Sequence, residues 1–419
     1  MIQRPRGTRD VLPGESYKWH YIEEVVRQLC QDFNFKEVRF PTFEETQLFR
    51  RGVGDTTDVV QKEMYDLAPK GEREASLTLR PEGTASTVRM FLENGLYGGA
   101  LPAKYYYLIP CFRYEKPQAG RLREFHQFGV EVFGTPHPQA DAEVISIARE
   151  LLSRLGVTGL ELNLNSIGCP TCRKAYNEAL REYFRPHLDT LCETCRGRFE
   201  RNPMRIIDCK SPVCQEIAKD APRILDYICE DCRAHFEKVQ EYLTAMDIPF
   251  RIDPNIVRGL DYYTKTVFEF VSTDIGAQGT VCGGGRYDGL VEQLGERSVP
   301  GLGFALGIER LILQMEAQGL SFGQEPGPKI FLANWGAETV PTCLSLVQQL
   351  RRQGIAAECD LMGKSVKAQM KYADKIGAAY TMVIGGSELA SGEGRLKHMA
   401  SGEETVCRLD QLGEHLRNA

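Results

Sequence analysis

The chain has 419 residues, with 51 Lys and Arg against 57 Asp and Glu, a formal charge of −6. That length makes about three domains of ordinary size, and the mild acidic excess excludes a histone-like polybasic protein while leaving room for a local cationic groove. The composition, 42% hydrophobic and 26% charged, is globular; no run approaches the roughly 18 apolar residues of a membrane span and no apolar stretch follows Arg4, Arg6 and Arg9, so no membrane anchor or secretory leader is expected and the expected location is the cytoplasm.

From Tyr17 to Phe33 the apolar residues Ile22, Val25, Val26, Leu29 and Phe33 recur at three and four, which predicts an amphipathic helix. Val38–Phe40 and Tyr105–Ile109 read as short strands. The stretches 105–115 and 123–133, joined by the turn-like KPQAGR at 116–121, read as a hairpin. Period-two alternation puts Phe128, Val130 and Val132 on a core face and Phe125, Gln127, Gly129 and Glu131 on the other. An amide, a carboxylate and a bare glycine in line predict that something polar approaches the sheet closely there, although a solvated face of an antiparallel sheet is the simpler alternative.

Residues 169–248 change character, being cysteine-rich and helical in pattern, and read as an insertion between strand-rich parts. Eight of the 14 cysteines lie between Cys169 and Cys232. Two spacings there, Cys169-x2-Cys172 with Cys192-x2-Cys195, and Cys209-x4-Cys214 with Cys229-x2-Cys232, suit four-thiolate zinc sites; the first set is Cys169, Cys172, Cys192 and Cys195, and the second either stands alone or interleaves with it. Free buried thiols are the alternative.

Next come RGLDYYT at 258–264 and GGGRYD at 283–288. Three successive glycines in a strand-like stretch allow close approach of a ligand or of another backbone. PGLGFALGIERL at 300–311 spaces its glycines as GxGxxxG with no acidic ribose partner at a suitable distance, which excludes a dinucleotide fingerprint. Gly319–Lys329 is a Gly- and Pro-rich linker. Beyond it, Ile330–Ala333, Ala356–Leu361 and Tyr380–Ile384 as strands alternate with Val340–Gln353 and Lys364–Ile376 as helices, a pattern for a mostly parallel sheet with covering helices. This last unit carries 11 basic against 10 acidic residues, or +1. Lys364, Lys367, Lys371 and Lys375 fall on one helical face, a solvated stripe unless nucleic acid is the partner. Glu358 stands where the first glycine of a P-loop would be needed, so GKS at 363–365 is no phosphate loop.

Arginine is common to the motif-rich blocks: Arg113, Arg121, Arg258 and Arg310. Guanidinium forks suit phosphate and carboxylate oxygens, and acceptors such as Glu82, Gln127, Glu131 and Tyr263 suit an ammonium-bearing metabolite beside a nucleotide. RGTRD at 6–10, the region around Phe40–Phe43, LRPEGT at 79–84, FRYEKPQAGRLREFHQFGVE at 112–131, RGLDYYT, GGGRYD and 301–310 together resemble the histidyl-tRNA synthetase family, bacterial type, among the class II aminoacyl-tRNA synthetases, over essentially the full length.

The resemblance implies an α+β class II catalytic domain, an antiparallel sheet flanked by helices, over 1–325, interrupted by the Cys-rich insertion 169–248 and followed by an α/β anticodon-binding domain over 329–419. It implies a histidine–tRNA ligase that uses ATP with Mg²⁺, acts as a homodimer and binds histidine tRNA. Carried residue by residue, Arg113 grips the α-phosphate and the amino-acid carboxylate, and Arg258 stabilises charge developing on that phosphate. Phe125 and Arg310 sandwich the adenine, with Arg121 also on ATP. Glu82, Thr84 and Gln127 hold the α-ammonium, Glu131 and Tyr263 the two imidazole nitrogens, with Tyr262 in the same histidine-binding set. Gln118, Lys364, Lys367 and Lys371 are the expected tRNA contacts. A non-catalytic regulatory relative and a class II enzyme for another amino acid are the alternatives; the retained arginines and the last unit speak against the first, RGLDYY and GGGRYD against the second.

Overall fold

The computed structural model describes residues 1–54, 57–68, 71, 75–272 and 279–418, which divide into two compact units, Met1–Gly323 and Gln324–Ala419. Its strands in chain order begin with β1 (Lys36–Glu37), β2 (Phe43–Glu45), β3 (Tyr65–Leu67), β4 (Leu77–Leu79), β5 (Ala103–Phe112), β6 (Glu124–Phe133) and β7 (Leu160–Ser166). β8 (Arg251–Ile252), β9 (Thr264–Ser272), β10 (Thr280–Arg286) and β11 (Gly301–Gly307) complete the first unit. Eight of them form one sheet in the order β1-β5-β6-β11-β10-β9-β7-β8, antiparallel in the middle and parallel only at the two edge pairs; β2, β4 and β3 make a small second sheet.

The hairpin β5–β6 pairs over ten residues, Ala103 with Phe133 through Phe112 with Glu124. Its core face is as the alternation predicts: Phe128, Val130 and Val132 are fully buried against the helices Pro13–Asp32, Pro138–Arg154, Glu230–Ala245 and Ile308–Ala317, through residues such as Ile22, Leu152, Val239 and Leu311. The first helix begins at Pro13, earlier than periodicity alone predicts, because a proline at the first turn loses no hydrogen bond there. The expected strand Val38–Phe40 is not formed. β1 ends at Glu37; Val38 still donates its N–H to Tyr106, but Pro41 has none to offer, and the carbonyls of Phe40 and Pro41 accept from the buried Arg80 guanidinium at 2.8 and 2.9 Å instead.

The cysteine-rich stretch folds as short helices, Pro170–Phe184, Glu193–Arg201, Met204–Ile207 and Pro212–Ala218, around a core of its own that includes Tyr176, Leu180, Phe184, Phe199 and Ile206. The helix Glu230–Ala245 begins in that core with Cys232 but gives Phe236, Val239 and Leu243 to the main one.

In the second unit, β12 (Ile330–Asn334), β13 (Ala357–Cys359), β14 (Tyr380–Ile384), β15 (Glu393–His398) and β16 (Glu404–Arg408) form a sheet in the order β13-β12-β14-β15-β16. The three expected strands pair in parallel, but β15 and β16 add an antiparallel hairpin that the strand–helix alternation did not announce. Its inward residues, Leu396 and Cys407, alternate with charged ones and are too few to stand out in sequence. The second helix starts at Val366, after Asp360 accepts the Lys364 N–H in a turn, so Lys364 stands ahead of the helix that carries Lys367, Lys371 and Lys375; all four lysines are exposed.

Candidate active site

The centre of the large sheet, where β6, β11 and β10 run side by side, floors a cavity. Glu82, Thr84, Gln127, Tyr262 and Tyr263 line it together with Arg113, Arg121, Phe125, Arg258 and Arg310. Ten of the eleven residues expected to hold the amino acid and nucleotide therefore face one space. The eleventh, Glu131, lies just beneath it. Its register partner is Gly303, where any Cβ would collide with the Glu131 carboxylate. Glu131 is 1% exposed and accepts hydroxyl hydrogen bonds from Thr84 (2.7 Å), Tyr107 (3.0 Å) and Tyr287.

The close approach expected at Gly129 exists, but its occupant is protein. The Tyr107 ring lies over both Gly129 and Gly83, where a methyl at either would overlap it, and this lets the phenol reach Glu131. That face of the hairpin is neither solvated nor open at Gly129. The glycine run at 283–285 divides in the same manner: Gly283 gives room to the Arg258 guanidinium, whereas Gly284 and Gly285 admit the backbones of the neighbouring strands β11 and β9.

Glu82 reaches both oxygens to the start of the helix Thr84–Glu93, accepting the N–H of Thr84 and of Ala85 at 2.8 Å each. Burial raises it above the usual carboxylate range, and those two N–H groups hold it back. Among the lining arginines, Arg113 donates to the Pro81 carbonyl (2.9 Å) and sits 5.3 Å from the Phe125 ring centre. Arg310 donates to the carbonyls of Gly120 (3.0 Å) and Thr280 (2.9 Å), which ties the hairpin loop to β10. Burial would lower the Arg258 guanidinium, but its ion pair with Glu269 keeps it above its ordinary range; its Nε, buried, has no partner among the described residues.

Three carboxylates here belong to none of the expected ligand sets. Glu269 pairs with Arg258; Glu115 lies 3.2 Å from Arg121; Glu309 accepts the His126 N–H at 3.0 Å on each oxygen. Glu115 and Glu309 line the cavity. The motif blocks contain all but Glu269, but an acidic residue beside an arginine carries no signal of its own. In GGGRYD the arginine is not a ligand group: Arg286 is fully buried in ion pairs with Asp141 and Asp288.

Burial pushes the Glu131 carboxyl up to about 8, against the pull of the Tyr287, Thr84 and Tyr107 hydroxyls. Between pH 4.5, where an unfolded glutamate loses its proton, and about pH 8 the native state retains one more proton than the unfolded chain, so stability falls as pH rises through this window and is level outside it. Without substrates, raising pH from 5.5 to 7.5 is expected to lower the stability of the native chain relative to Glu131→Gln by about 1–3 kcal/mol, a shift of several degrees in the Tm difference. A difference that stays flat with pH rejects a protonated Glu131.

The cysteines are paired differently from the expected first set. Cys169 and Cys172 meet Cys229 and Cys232, while Cys192 and Cys195 meet Cys209 and Cys214; within each group all four sulfurs lie within 4.8 Å of one another. The arrangement is nested, because the helix Pro170–Phe184 carries the chain away from Cys172 before Cys192 is reached and the helix Glu230–Ala245 brings Cys229 and Cys232 back beside Cys169. Local spacing cannot distinguish the two. The Sγ separations, 3.5 Å for Cys169–Cys172, 4.0 Å for Cys169–Cys229 and 3.8 Å for Cys192–Cys209, match the edge of about 3.8 Å that four sulfurs at ~2.3 Å from one tetrahedral ion would have.

The model of the family described as histidyl-tRNA synthetase matches residues 7–191 and 207–311, and that of the anticodon binding domain matches 329–419. A histidine–tRNA ligase from Acetivibrio thermocellus is 55% identical over 417 residues and one from Caldanaerobacter subterraneus 53% over 418, each covering 100% of both chains. The structure of apo histidyl-tRNA synthetase from S. aureus superposes with a TM-score of 0.85 at 40% identity, covering 100% of both chains.

Proposed function

The chain belongs to the histidyl-tRNA synthetase family and charges histidine tRNA, and from that premise we propose which of its residues carry each step. One observation carries the reading: a single cavity is lined by the Glu82 carboxylate, the phenols of Tyr262 and Tyr263 and four arginines, with Arg258 5.7 Å from the Tyr263 ring centre. The carboxylate and phenols suit an imidazole and an ammonium, the arginines a nucleotide and a carboxylate.

Glu131 and Tyr263 take the two imidazole nitrogens, with Tyr262 packed on Tyr263 at 4.6 Å between ring centres. Glu82 and Gln127 take the α-ammonium. Thr84, whose hydroxyl proton goes to Glu131, still offers its oxygen lone pairs to that ammonium. Arg113 holds the histidine carboxylate against the α-phosphate, Phe125 and Arg310 enclose the adenine, and Arg121 meets the phosphates. The carboxylate oxygen bonds to the α-phosphorus as the bond to the pyrophosphate oxygen breaks, and Arg258 offers its fork to the charge that builds on the α-phosphate. The terminal ribose hydroxyl of the tRNA then attacks the histidyl carbonyl and AMP leaves.

Mg²⁺ would accompany ATP, with Glu115 and Glu309 supplying the oxygen donors such an ion takes and the ion neutralising the departing pyrophosphate. The sulfur geometry of the insertion supports Zn²⁺ there. The domain reading is a catalytic domain over 1–325 with the insertion 169–248, then an anticodon-binding domain over 329–419. No described helix is long and apolar enough to cross a membrane. We place the enzyme in the cytoplasm as a homodimer, on the strength of the family.

Exchange of labelled pyrophosphate into ATP should require histidine out of a panel of amino acids. Exchange driven equally by another amino acid overturns the assignment. Gln118, exposed in the hairpin loop, and the exposed Lys364, Lys367 and Lys371 are the proposed tRNA contacts. Reversing charge at Lys367 and Lys371 together should weaken tRNA binding and reduce the slope of log K against log salt by about 2, leaving pyrophosphate exchange untouched. An unchanged slope rejects the stripe.

A further inference from the structure

We propose that the inner thiolate set, Cys192, Cys195, Cys209 and Cys214, binds one Zn²⁺ whose task is to hold Arg258 in register, so that metal in the insertion sets the rate of histidine activation. This deepens, and rests on, the reading of Arg258 as the group that meets the α-phosphate.

The four sulfurs flank one stretch of the chain. Two come just before the segment 196–208 and two just after it, so a shared ion would clamp both of its ends. The first two open the helix Glu193–Arg201, with Cys192 at its N-cap, and backbone N–H groups point at sulfur as they do around a thiolate: Cys192 N–H toward Cys214 Sγ (3.3 Å) and Ser211 N–H toward Cys209 Sγ (3.5 Å). Cys195, Cys209 and Cys214 are buried and Cys192 is half-buried; none is in a disulfide. Four soft donors at tetrahedral spacing select zinc over magnesium or calcium.

What the clamped segment carries gives the site its purpose. Arg205 donates from Nη1 to the main-chain carbonyl of Arg258 at 2.7 Å. Asn202 donates from Nδ2 to Asp261 Oδ1 at 2.9 Å. Arg198 donates to the Arg205 carbonyl at 3.1 Å and pairs with Asp58 at 2.9 Å, which fastens the segment to the start of the short helix Val59–Glu63. The outer set adds a weaker brace, since Arg173, next to Cys172, reaches the Asp261 carbonyl at 3.4 Å. The turn 258–261 belongs to no helix or strand; its other ties include the Asp261 N–H to the Val53 carbonyl (3.2 Å) and Leu260 packed on two core clusters, and Gly259 adds no side chain. Four thiolates around one ion would staple both ends of this segment of short helices and sharpen the position of the contacts it makes. Arg205, Asn202 and Arg198 are thus positioning residues for Arg258.

Full-length protein purified without chelators should carry two Zn²⁺ per chain by elemental analysis, and Cys209→Ser one, with half the thiolate-to-cobalt absorption after Co²⁺ exchange. Cys209→Ser and Arg205→Met should each lower kcat for histidine-dependent pyrophosphate exchange roughly 10- to 100-fold, with KM for histidine and ATP changed less than about twofold, because Arg258 acts on the transition state. Arg205→Met should keep both zinc ions, and Arg205→Lys, which restores a donor, should recover part of the rate. A native chain without zinc, Cys209→Ser retaining two ions, or an unchanged kcat in Arg205→Met overturns the proposal. Should Cys209→Ser not fold, native zinc content and the Arg205→Met kcat decide together. Native protein that lacks histidine-dependent exchange overturns the underlying activity reading instead, whatever its zinc content.

Discussion

Arg258→Ala is expected to lower kcat for histidine-dependent pyrophosphate exchange by roughly 10³-fold while the KM values move little. The guanidinium lies in the space Gly283 leaves for it, is charged at every accessible pH through Glu269, and keeps a buried Nε with no partner among the described residues. A buried donor without a partner costs stability in the free enzyme, and the cost is recovered when an anion arrives. Arg258→Lys keeps a charge but loses the planar fork, and should remain about 10²-fold below the native rate. Steady-state exchange at saturating ATP and histidine measures both. A tenth of native activity in Arg258→Ala would exclude the residue from the chemistry.

The other large effect falls on stability. Arg286, at the end of β10, has a side chain that is 0% exposed, and every nitrogen is engaged. Nε faces both Asp141 oxygens at 3.2 Å, Nη1 donates to the Thr135 carbonyl (2.8 Å) and Asp288 (3.0 Å), and Nη2 to Asp141 and the His137 carbonyl (3.2 Å). His235 Nε2 completes the cluster 3.3 Å from Asp141. Burial would push the Asp141 carboxyl up, but the Arg286 charge brings it down to about 2. Asp141→Asn leaves the buried Arg286 cation with Asp288, at Nη1, as its one remaining carboxylate among the described residues, in a place water does not reach. The expected cost is about 3–5 kcal/mol, a fall in Tm on the order of 5–10 °C, with exchange at 25 °C almost intact because the cluster is outside the cavity. Since the stabilising carboxylate forms near pH 2 in the fold and near 3.8 in the unfolded chain, the native advantage over Asp141→Asn is full above about pH 4 and fades below it. A Tm loss under 2 °C would reject the pair as a structural anchor.

These two arginines show how unevenly the chain declares itself. Both sit next to a glycine in their motifs, and nothing in RGLDYY or GGGRYD says that one guanidinium faces a cavity and the other a carboxylate in the interior. By itself the sequence determined the core face of β6, the parallel strands of the second unit, and the family through its motif blocks. Each of these is written in neighbours two, three or four positions apart, or in a run of residues read whole. Only the tertiary structure decided that Tyr107, not a ligand, fills the gap over Gly129, that Glu131 receives hydroxyls from residues 84, 107 and 287, and that Cys172 meets Cys229 before Cys192. Those partners stand between 22 and 156 positions apart, and at such separations the choice belongs to whichever packing buries the most apolar surface with every polar group satisfied, a property of the whole sheet that no local spacing contains.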